Sequence, residues 1–410
     1  MMKKRILMVV MDGLGDRGCR SLGGLTPLQV AETPNLDWFA QNGSSGIMDL
    51  ISPGVRPGSD TSHLSLLGYE PYSVYKGRGP FEAAGIGLVG RKGDVAFRCN
   101  FSTVDEAMNV VDRRAGRVKE PDTVELVNAL QGMTIQGIEV HVRQGTEHRA
   151  ALLLRGPGLS ADVSDADPHE MGPVLESRPL SPGADLTARV VNEFVRRSYE
   201  IWKDHPVNQR RRQEGLPEAN ILLPRGAGSF PDIDPFPQKH GMKAACVAGV
   251  GMIKGICGIC GLDVLDVPEA CTGGLDTDMI AKAEAALSAL KEYDFVLMNI
   301  KAPDLTGHDG HAEEKLKVVR RLDTMAAYIR ERLEDDMVVA FTADHCTPVD
   351  AGDHTGDPVP LTIYTQGLVQ DRCQSFNEAD CAYGRLGRLR GCDLLPVLMD
   401  MANRSTKFGA

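Results

Sequence analysis

The residues best suited to chemistry follow a short apolar segment near residue 340. Val338–Phe341 is an apolar, β-branched run that predicts a buried strand, and Asp344 and His345 come soon after it. His354 lies nine residues further on, in a loop rich in Gly and Asp. Ligands bind at the carboxyl edge of open α/β sheets, so carboxylate and imidazole groups at this edge indicate a metal site. A strand-end Asp–His hydrogen bond without a metal explains this one segment equally well.

Two further predicted strands end in residues of the same types. Asp12 follows the predicted strand Arg5–Met11, and Asp304 and His308 follow the predicted strand Phe295–Ile300. With the first group they give three aspartates and three histidines, enough for two metal ions a few ångströms apart. Two-metal sites suit phosphoryl transfer, because the ions activate a nucleophile and stabilise developing negative charge. These ligand types accept Mn²⁺, Co²⁺, Zn²⁺ and Mg²⁺.

A candidate nucleophile lies in the segment Pro57–His63. Gly58 permits a sharp turn before Ser59, and a helix is predicted to begin there. A helix N-terminus stabilises negative charge, and a metal ion favours the alkoxide form of a bound serine. An ordinary serine at a helix start is the alternative, and on its own the segment fits that alternative better.

Apolar strands that alternate with amphipathic helices surround these positions at both ends of the chain. This pattern predicts an α/β fold with a mostly parallel sheet covered by helices on both faces. Between them, short strands and turns predict a smaller α+β domain inserted into the first. The predicted domains are 1–74 with 235–410 for the metal-binding domain and 75–234 for the insert. The main predicted elements outside the insert are strands at Ala244–Val250 and Phe295–Ile300 and helices at Thr277–Tyr293 and Glu313–Leu333. Inside the insert they are strands at Asp94–Phe101, Ile138–Val142 and Ala150–Leu154, a helix at Leu186–Lys203, and a strand Ile221–Leu223 that ends before Arg225.

Composition narrows the classes of partner. A net charge of −11 and a pI near 5.5 argue against nucleic acid or an anionic membrane, although a local arginine cluster can still bind a small anion. No window is apolar enough to span a membrane, and the amino-terminal apolar run is too short for a signal peptide. The ten scattered cysteines favour reduced thiols in the cytoplasm. Cys257 and Cys260 lie in an apolar run rich in Gly, so we expect them to be buried small residues. A homo-oligomer is left open.

Three arginines fall within five residues of the predicted insert. They are Arg113, Arg114 and Arg117. A solvated turn and an anion-binding loop explain this cluster about equally well.

The motif series resembles that of the cofactor-independent phosphoglycerate mutases, and more narrowly their archaeal-type branch within the alkaline phosphatase superfamily. The motifs outside the insert are MDG, PGSDTSH, PDLTGHDG, TADH and DHTGDPVP. Those in the insert are GRGPFEAAGIG, NFSTVD, DRRAGR, EHRAALLLRGPGLS, SDADPH and LLPRGAG. The similarity runs nearly from end to end, with the site positions in the family's order.

The resemblance implies interconversion of 2- and 3-phosphoglycerate without 2,3-bisphosphoglycerate, with two divalent metal ions as cofactors. It implies that Ser59 is the phosphorylated nucleophile. One implied metal site is Asp304, His308 and His354, and the other is Asp12, Ser59, Asp344 and His345. The implied substrate-binding residues are Arg78, Arg113, Arg114, Arg117 and Arg225 of the insert, with Lys254 of the other domain. A metal-dependent phosphatase or another phosphotransferase is the alternative, and a non-enzymatic metal- or phosphosugar-binding protein is a second one.

Overall fold

The structure, a computed structural model, describes residues 2–407 and 409, which divide into two compact units. Unit 1 combines the chain up to Val74 with the chain from Ile233 onward, and unit 2 is Tyr75–Asp232. The second boundary lies two residues before the predicted one. Each unit is described separately below.

The described residues contain fifteen strands and fifteen α-helices. In chain order the strands are β1 (Arg5–Met11), β2 (Ser44–Asp49), β3 (Val95–Val104), β4 (Asn109–Asp112), β5 (Thr134–Ile135), β6 (Ile138–Gln144), β7 (Arg149–Arg155), β8 (Gly172–Pro173), β9 (Ile221–Ser229), β10 (Ala244–Val247), β11 (Asp263–Val264), β12 (Phe295–Ile300), β13 (Met337–Thr342), β14 (Val359–Thr365) and β15 (Gly387–Arg390). The helices are α1 (Pro27–Val30), α2 (Pro34–Asn42), α3 (Ser59–Leu66), α4 (Pro71–Val74), α5 (Gly79–Gly85), α6 (Asp122–Asn128), α7 (Asp185–Trp202), α8 (Pro206–Gln213), α9 (Phe236–His240), α10 (Gly251–Ile259), α11 (Met279–Ala289), α12 (Ala302–His308), α13 (Ala312–Arg330), α14 (Glu378–Cys381) and α15 (Gly391–Met401).

Unit 1 is built on an eight-stranded sheet in the order β11-β10-β12-β1-β13-β14-β2-β15. Within the described residues, β14 alone runs against the other strands. Every residue of β12 and β13 is buried, and consecutive strand residues point to opposite faces, so both faces of the sheet are covered. The predicted fold class, a mostly parallel sheet covered on both faces, is therefore confirmed.

Two groups of helices cover this sheet. Helix α13 packs against α2 and α11 in one group, and α3 packs against α10 and α15 in the other. Phe39 of α2 packs against Phe341 of β13 with ring centroids 4.7 Å apart. Buried aromatic pairs of this kind contribute about 0.5–1.5 kcal/mol beyond their area. The helices thus fix the central strands β1, β12 and β13, whose carboxyl ends carry the candidate ligands.

Unit 2 is an antiparallel sheet in the order β5-β6-β7-β3-β4-β8, with β9 also paired to β3. Its core includes Phe101 of β3 stacked on Trp202 of α7, with ring centroids 5.3 Å apart. The prediction that the strand ends before Arg225 is wrong, because β9 continues to Ser229 and pairs Arg225 with Arg98. Glycines usually mark a loop, but here they accompany a register shift in the ladder, as at a β-bulge.

Two predictions from composition are tested by the structure. All ten cysteines are free thiols, and Cys257 and Cys260 are buried within or beside α10, as predicted. In the part of the chain that the structure describes, no helix has the length and apolar character required to cross a bilayer.

Candidate functional site

Three of the predicted ligands form a histidine-rich cluster in unit 1, made of Asp304, His308 and His354. The candidate ligand atoms lie within 4.8 Å of one another. Nε2 of His308 is 3.4 Å, and Nε2 of His354 3.5 Å, from Oδ1 of Asp304. The sequence predicted Asp304 and His308 only as residues beyond a strand, whereas the structure places them in α12, four residues apart on one helical face.

The other three predicted ligands form an aspartate-rich cluster in unit 1, made of Asp12, Asp344 and His345. These residues follow the neighbouring parallel strands β1 and β13, and all three are fully buried. Their candidate ligand atoms also lie within 4.8 Å of one another. Nε2 of His345 is 3.5 Å from Oδ1 of Asp12 and 3.4 Å from Oδ2 of Asp344. Parallel strands with aligned ends explain why residues so distant in sequence meet here.

Ser59, the predicted nucleophile, lies at the edge of the aspartate-rich cluster. It is the first residue of α3, and Gly58 precedes it as the N-cap. Its hydroxyl oxygen is 3.1 Å from Nε2 of His345. The first turn of a helix favours negative charge, so this position suits a serine that must become an alkoxide.

Hydrogen bonds orient the imidazoles so that each Nε2 faces its cluster. Nδ1 of His308 donates to the carbonyl of Gly352 at 3.0 Å, and Nδ1 of His354 donates to that of Pro57 at 2.8 Å. The hydroxyl of Thr347 donates its one proton to Asp304, so it accepts from Nδ1 of His345 at 3.0 Å. In the neutral form of each ring the Nε2 lone pair is therefore available to a cation.

The sequence interpretation missed Lys301 and Asn299 at the site, and it left His63 as either a neighbour of the ligands or an ordinary residue of the helix. The ammonium of Lys301 lies 2.8 Å from Oδ1 of Asp12 and 2.7 Å from Oδ2 of Asp304, so it contacts both clusters. Asn299 donates from its amide to Asp12 and contacts Nε2 of His63. The signal for Lys301 was its spacing of three from Asp304, which only becomes a contact once α12 is recognised as a helix.

The charges of the two clusters favour a cation. Burial, and then the neighbouring carboxylate of Asp344, raise the pKa of Asp12 to about 8. Burial also acts to raise the pKa of Asp304, but hydrogen bonding from His354 and the charge of Lys301 outweigh it and lower that pKa. Burial lowers the pKa of His345 to about 3, so this imidazole is neutral.

An unpaired buried oxygen supports the fit of a cation. Oδ2 of Asp344 is buried and has no hydrogen-bond partner among the described residues. An unsatisfied buried carboxylate oxygen is costly in a protein interior, and a divalent ion would satisfy it. The donor set of carboxylates and Nε2 atoms matches the ligands of Mn²⁺, Co²⁺ and Zn²⁺.

Gly13 makes the close approach of the clusters possible. It has a φ of +64°, and a Cβ atom here would lie 2.5 Å from Cβ of Asp304. Its amide donates to Oδ1 of Asp344 at 3.0 Å. A side chain at this position would push the two clusters apart.

Two of the predicted arginines of unit 2 share one carboxylate. Arg113 and Arg225 both approach the buried Asp167, at 3.2 and 3.6 Å. The Nε groups of both arginines are buried and have no hydrogen-bond partner among the described residues. These orphan donors suit an anion, because buried N–H groups need an acceptor.

The remaining predicted substrate residues are placed differently. Arg78 pairs with Glu82 at 2.9 Å, and the structure adds Arg98, which the sequence interpretation missed, at 3.4 Å from the same carboxylate. Arg114 and Arg117 are exposed. Lys254 lies in α10 of unit 1, half-buried and outside both ligand clusters.

His148 of unit 2 lies close enough to several arginines for their positive charge to affect its pKa. Burial, and then the charges of Arg149 and Arg114, lower the pKa of this buried histidine. Its Nδ1 also has no hydrogen-bond partner among the described residues. The sequence interpretation did not single out this residue, since one histidine beside arginines carries no spacing signal.

Known proteins include relatives that align with the whole of this chain. A family profile described as 2,3-bisphosphoglycerate-independent phosphoglycerate mutase matches residues 40–208. The chain is 49% identical to the protein of that name from Methanopyrus kandleri, over 100% of this chain and 99% of the relative. It is 47% identical to 2,3-bisphosphoglycerate-independent phosphoglycerate mutase 1 of Methanocaldococcus jannaschii, over the whole of both chains.

Two solved structures are also similar. A protein from Pyrococcus horikoshii has a TM-score of 0.87 and 38% identity, with both chains fully covered. A cofactor-independent phosphoglycerate mutase from Thermoplasma acidophilum has a TM-score of 0.76 and 40% identity, over 97% of this chain and 100% of that one.

Proposed function

This chain belongs to the 2,3-bisphosphoglycerate-independent phosphoglycerate mutases, and we propose that it interconverts 2- and 3-phosphoglycerate through a phosphoserine at Ser59. The proposal includes two divalent metal ions, held by the histidine-rich and aspartate-rich clusters. The observation that carries it is the 3.1 Å distance between the hydroxyl of Ser59 and Nε2 of His345, at the start of α3. A hydroxyl at this distance from the aspartate-rich cluster supports the proposed role of Ser59 as the nucleophile.

The proposed ligands divide between two ions. Asp304, His308 and His354 would hold one, and Asp12, Ser59, Asp344 and His345 would hold the other. Bound there, divalent ions would favour the alkoxide of Ser59 and offset negative charge on the phosphoryl oxygens. The hydrogen bonds on each Nδ1 keep the ligand nitrogens in place, so the protein supplies the site preorganised.

Ser59 would then accept the phosphoryl group and return it to the other hydroxyl of the glycerate. In the first transfer, the bond from phosphorus to the substrate oxygen breaks as the bond to Oγ of Ser59 forms. In the second, the bond from phosphorus to Oγ breaks as a bond forms to the hydroxyl oxygen on the neighbouring carbon of the glycerate. Water must be kept out while phosphoserine exists, because hydrolysis would make the enzyme a phosphatase.

We propose that the arginines of unit 2 bind the substrate. Among the described residues, Nε–H of Arg113 and of Arg225 makes no hydrogen bond, although Nε of Arg225 lies 3.6 Å from Asp167, and a guanidinium binds a carboxylate or phosphate through two parallel hydrogen bonds. The exposed Arg114 and Arg117 add positive charge to the same unit, together with Arg78. Lys254 of unit 1 stays a proposed substrate contact, without a contact in the structure that argues for it.

The test is product analysis with the full chain, 3-phosphoglycerate and Mn²⁺ in ¹⁸O-labelled water. We expect 2-phosphoglycerate without label in its phosphate, and a phosphorylated peptide containing Ser59 after acid quenching. Ser59→Ala should abolish both. Ser62→Ala, in the same helix and also buried, is the matched control and should keep them.

The alternative function gives a different result in the same experiment. A metal-dependent phosphatase would release free phosphate, with label where water attacks phosphorus. Net phosphate release without 2-phosphoglycerate would replace the mutase proposal. A binding protein would show no turnover with any divalent ion.

A further inference from the structure

Lys315 is a buried lysine that contacts the loops behind both ligand clusters. It lies in the first turn of α13, and its side chain is fully buried. Its ammonium donates to Oδ2 of Asp16 at 2.8 Å, to the carbonyl of Thr347 at 2.9 Å and to that of Gly13 at 3.1 Å. Gly13 and Asp16 lie in the loop after β1, and Thr347 lies in the loop after β13. One ammonium group therefore joins the two loops.

The loop after β1 connects Lys315 to the aspartate-rich cluster. Gly13 directly follows the ligand Asp12, and its carbonyl accepts from Lys315. The amide of the same residue donates to Asp344 at 3.0 Å. A shift of Gly13 therefore moves a ligand and a hydrogen bond to a second ligand together.

The loop after β13 connects Lys315 to both clusters. Thr347, whose carbonyl accepts from Lys315, donates its hydroxyl to Asp304 at 2.7 Å. The same hydroxyl accepts from Nδ1 of His345 at 3.0 Å. One residue thus orients a ligand from each cluster, and Lys315 fixes the backbone of that residue.

Asp16 completes the connection between the loops. It lies on the first loop and accepts from the amide of Val349 on the second, at 3.2 Å. A buried ion pair contributes little to stability relative to apolar packing, since both charges lose their water. The presence of such a pair here is better explained by the geometry that it imposes on the two loops.

We propose that Lys315 is a positioning residue that, with Asp16, sets the spacing between the two metal clusters. The inference rests on the proposed function, because it requires that the clusters bind ions. Lys315 acts through Gly13 and Thr347 and does not itself serve as a ligand.

The experiment compares Mn²⁺ binding to the full chain and to Lys315→Met by titration calorimetry, with thermal melting of the ion-free proteins. Substitution of a residue that orients metal ligands changes metal affinity by about 10–100-fold. We therefore expect Lys315→Met to lower the affinity for at least one Mn²⁺ ion by roughly tenfold. Arg404→Met is the matched control. Arg404 is also a buried cation on a carbonyl and a carboxylate, those of Lys4 and Asp294, at the opposite end of β1. It should lower melting but leave Mn²⁺ affinity unchanged.

Each outcome decides the inference. Unchanged Mn²⁺ affinity in a folded Lys315→Met variant would overturn it and leave the proposed function intact. If that variant does not fold, Asp16→Asn, which keeps the ammonium, replaces it with the same expectation. Failure of both to fold would assign the pair to fold stability and overturn the inference. No Mn²⁺ binding by the unsubstituted chain would overturn the proposed function as well.

Discussion

The two units gather opposite charges, and they satisfy them differently. In unit 1, the buried carboxylates of Asp12 and Asp304 share the ammonium of Lys301, and the imidazoles beside them are fixed by hydrogen bonds on Nδ1. In unit 2, Arg113 and Arg225 share one buried carboxylate and keep N–H donors without an acceptor. Unit 1 is thus complementary to cations and unit 2 to an anion. Under the proposed function, bound ions would supply positive charge in unit 1, as guanidinium groups do in unit 2.

The largest effect on activity should follow from removing a proposed metal ligand of unit 1. Asp304→Ala removes a ligand of the histidine-rich cluster, so it should lower metal content, and mutase rate should fall by roughly 10²–10³-fold, as for loss of one preorganised electrostatic group. Metal analysis and turnover measure both. Exhaustive chelation of the unsubstituted chain should abolish activity, and added Mn²⁺ should restore it.

The control for this prediction is Asp309→Asn. Asp309 is an exposed carboxylate just after α12, and its loss should change neither metal content nor rate. An Asp304→Ala variant that keeps its metal and kcat would show that the assignment of this ligand is wrong.

A smaller effect should follow from breaking the anion side. Arg225→Ala removes charged hydrogen bonds to the substrate, each worth about 1.5–3 kcal/mol, so kcat/KM should fall about 10- to 150-fold while metal content stays constant. Steady-state kinetics and metal analysis separate this from the Asp304 variant. Arg196→Ala, an exposed arginine on α7, is the control and should leave kcat/KM unchanged.

Stability distinguishes the members of the arginine region. Arg114 and Arg117 are exposed, so their substitution by alanine should leave melting nearly unchanged. Arg113→Ala should lower it, because the buried Asp167 loses a partner. The sequence left a solvated turn and an anion-binding loop equally open for all three arginines, whereas the structure separates Arg113 from the other two. Equal melting of the three variants would contradict it.

The smallest effect concerns the pH dependence of stability in unit 2. The pKa of His148 is lowered by burial and by neighbouring arginines, so the folded state binds fewer protons than the unfolded state. Its contribution to stability is full above the unfolded pKa of about 6.5 and is lost as pH falls below that value. Melting of the unsubstituted chain should therefore decline between pH 7.5 and 5.5.

His148→Gln should reduce this decline. His141→Gln, a more exposed histidine of the same unit, serves as the control and should leave the decline as it is. Adding inorganic phosphate should also reduce the decline, because an anion offsets the arginine charges. If the unsubstituted chain, His148→Gln and His141→Gln all show a decline of the same size, titration of His148 does not cause the decline.

The sequence predicted the central elements well, and the reason is physical. β1 and β12 have the predicted bounds, because strands buried on both faces appear as continuous apolar runs. β2 was not predicted. It begins with Ser44 and Ser45, two buried polar residues whose hydroxyls bond to residues far along the chain, Val369 and Thr362.

The candidate site was predicted by residue type but not by geometry. The ligand positions follow from polar residues beyond apolar runs, and the structure brings those six together in two clusters. The contacts of Lys301 and Lys315 depend on where α12 and α13 lie in three dimensions. α12 has the composition of a turn, with Pro303 and Gly307, so its helical spacing could not be inferred from propensity.

The order of strands in unit 1 has a consequence for biosynthesis. β1 is made before both of its partners, because Ile6 pairs with Phe295 on one side and with Val338 on the other. All of Tyr75–Asp232 leaves the ribosome before either partner does, and that segment holds its own complete sheet. A nascent chain therefore carries an apolar strand without neighbours through most of its synthesis, the kind of surface that aggregates and that chaperones cover. Fragments that end before residue 295 should therefore be less soluble than the full chain.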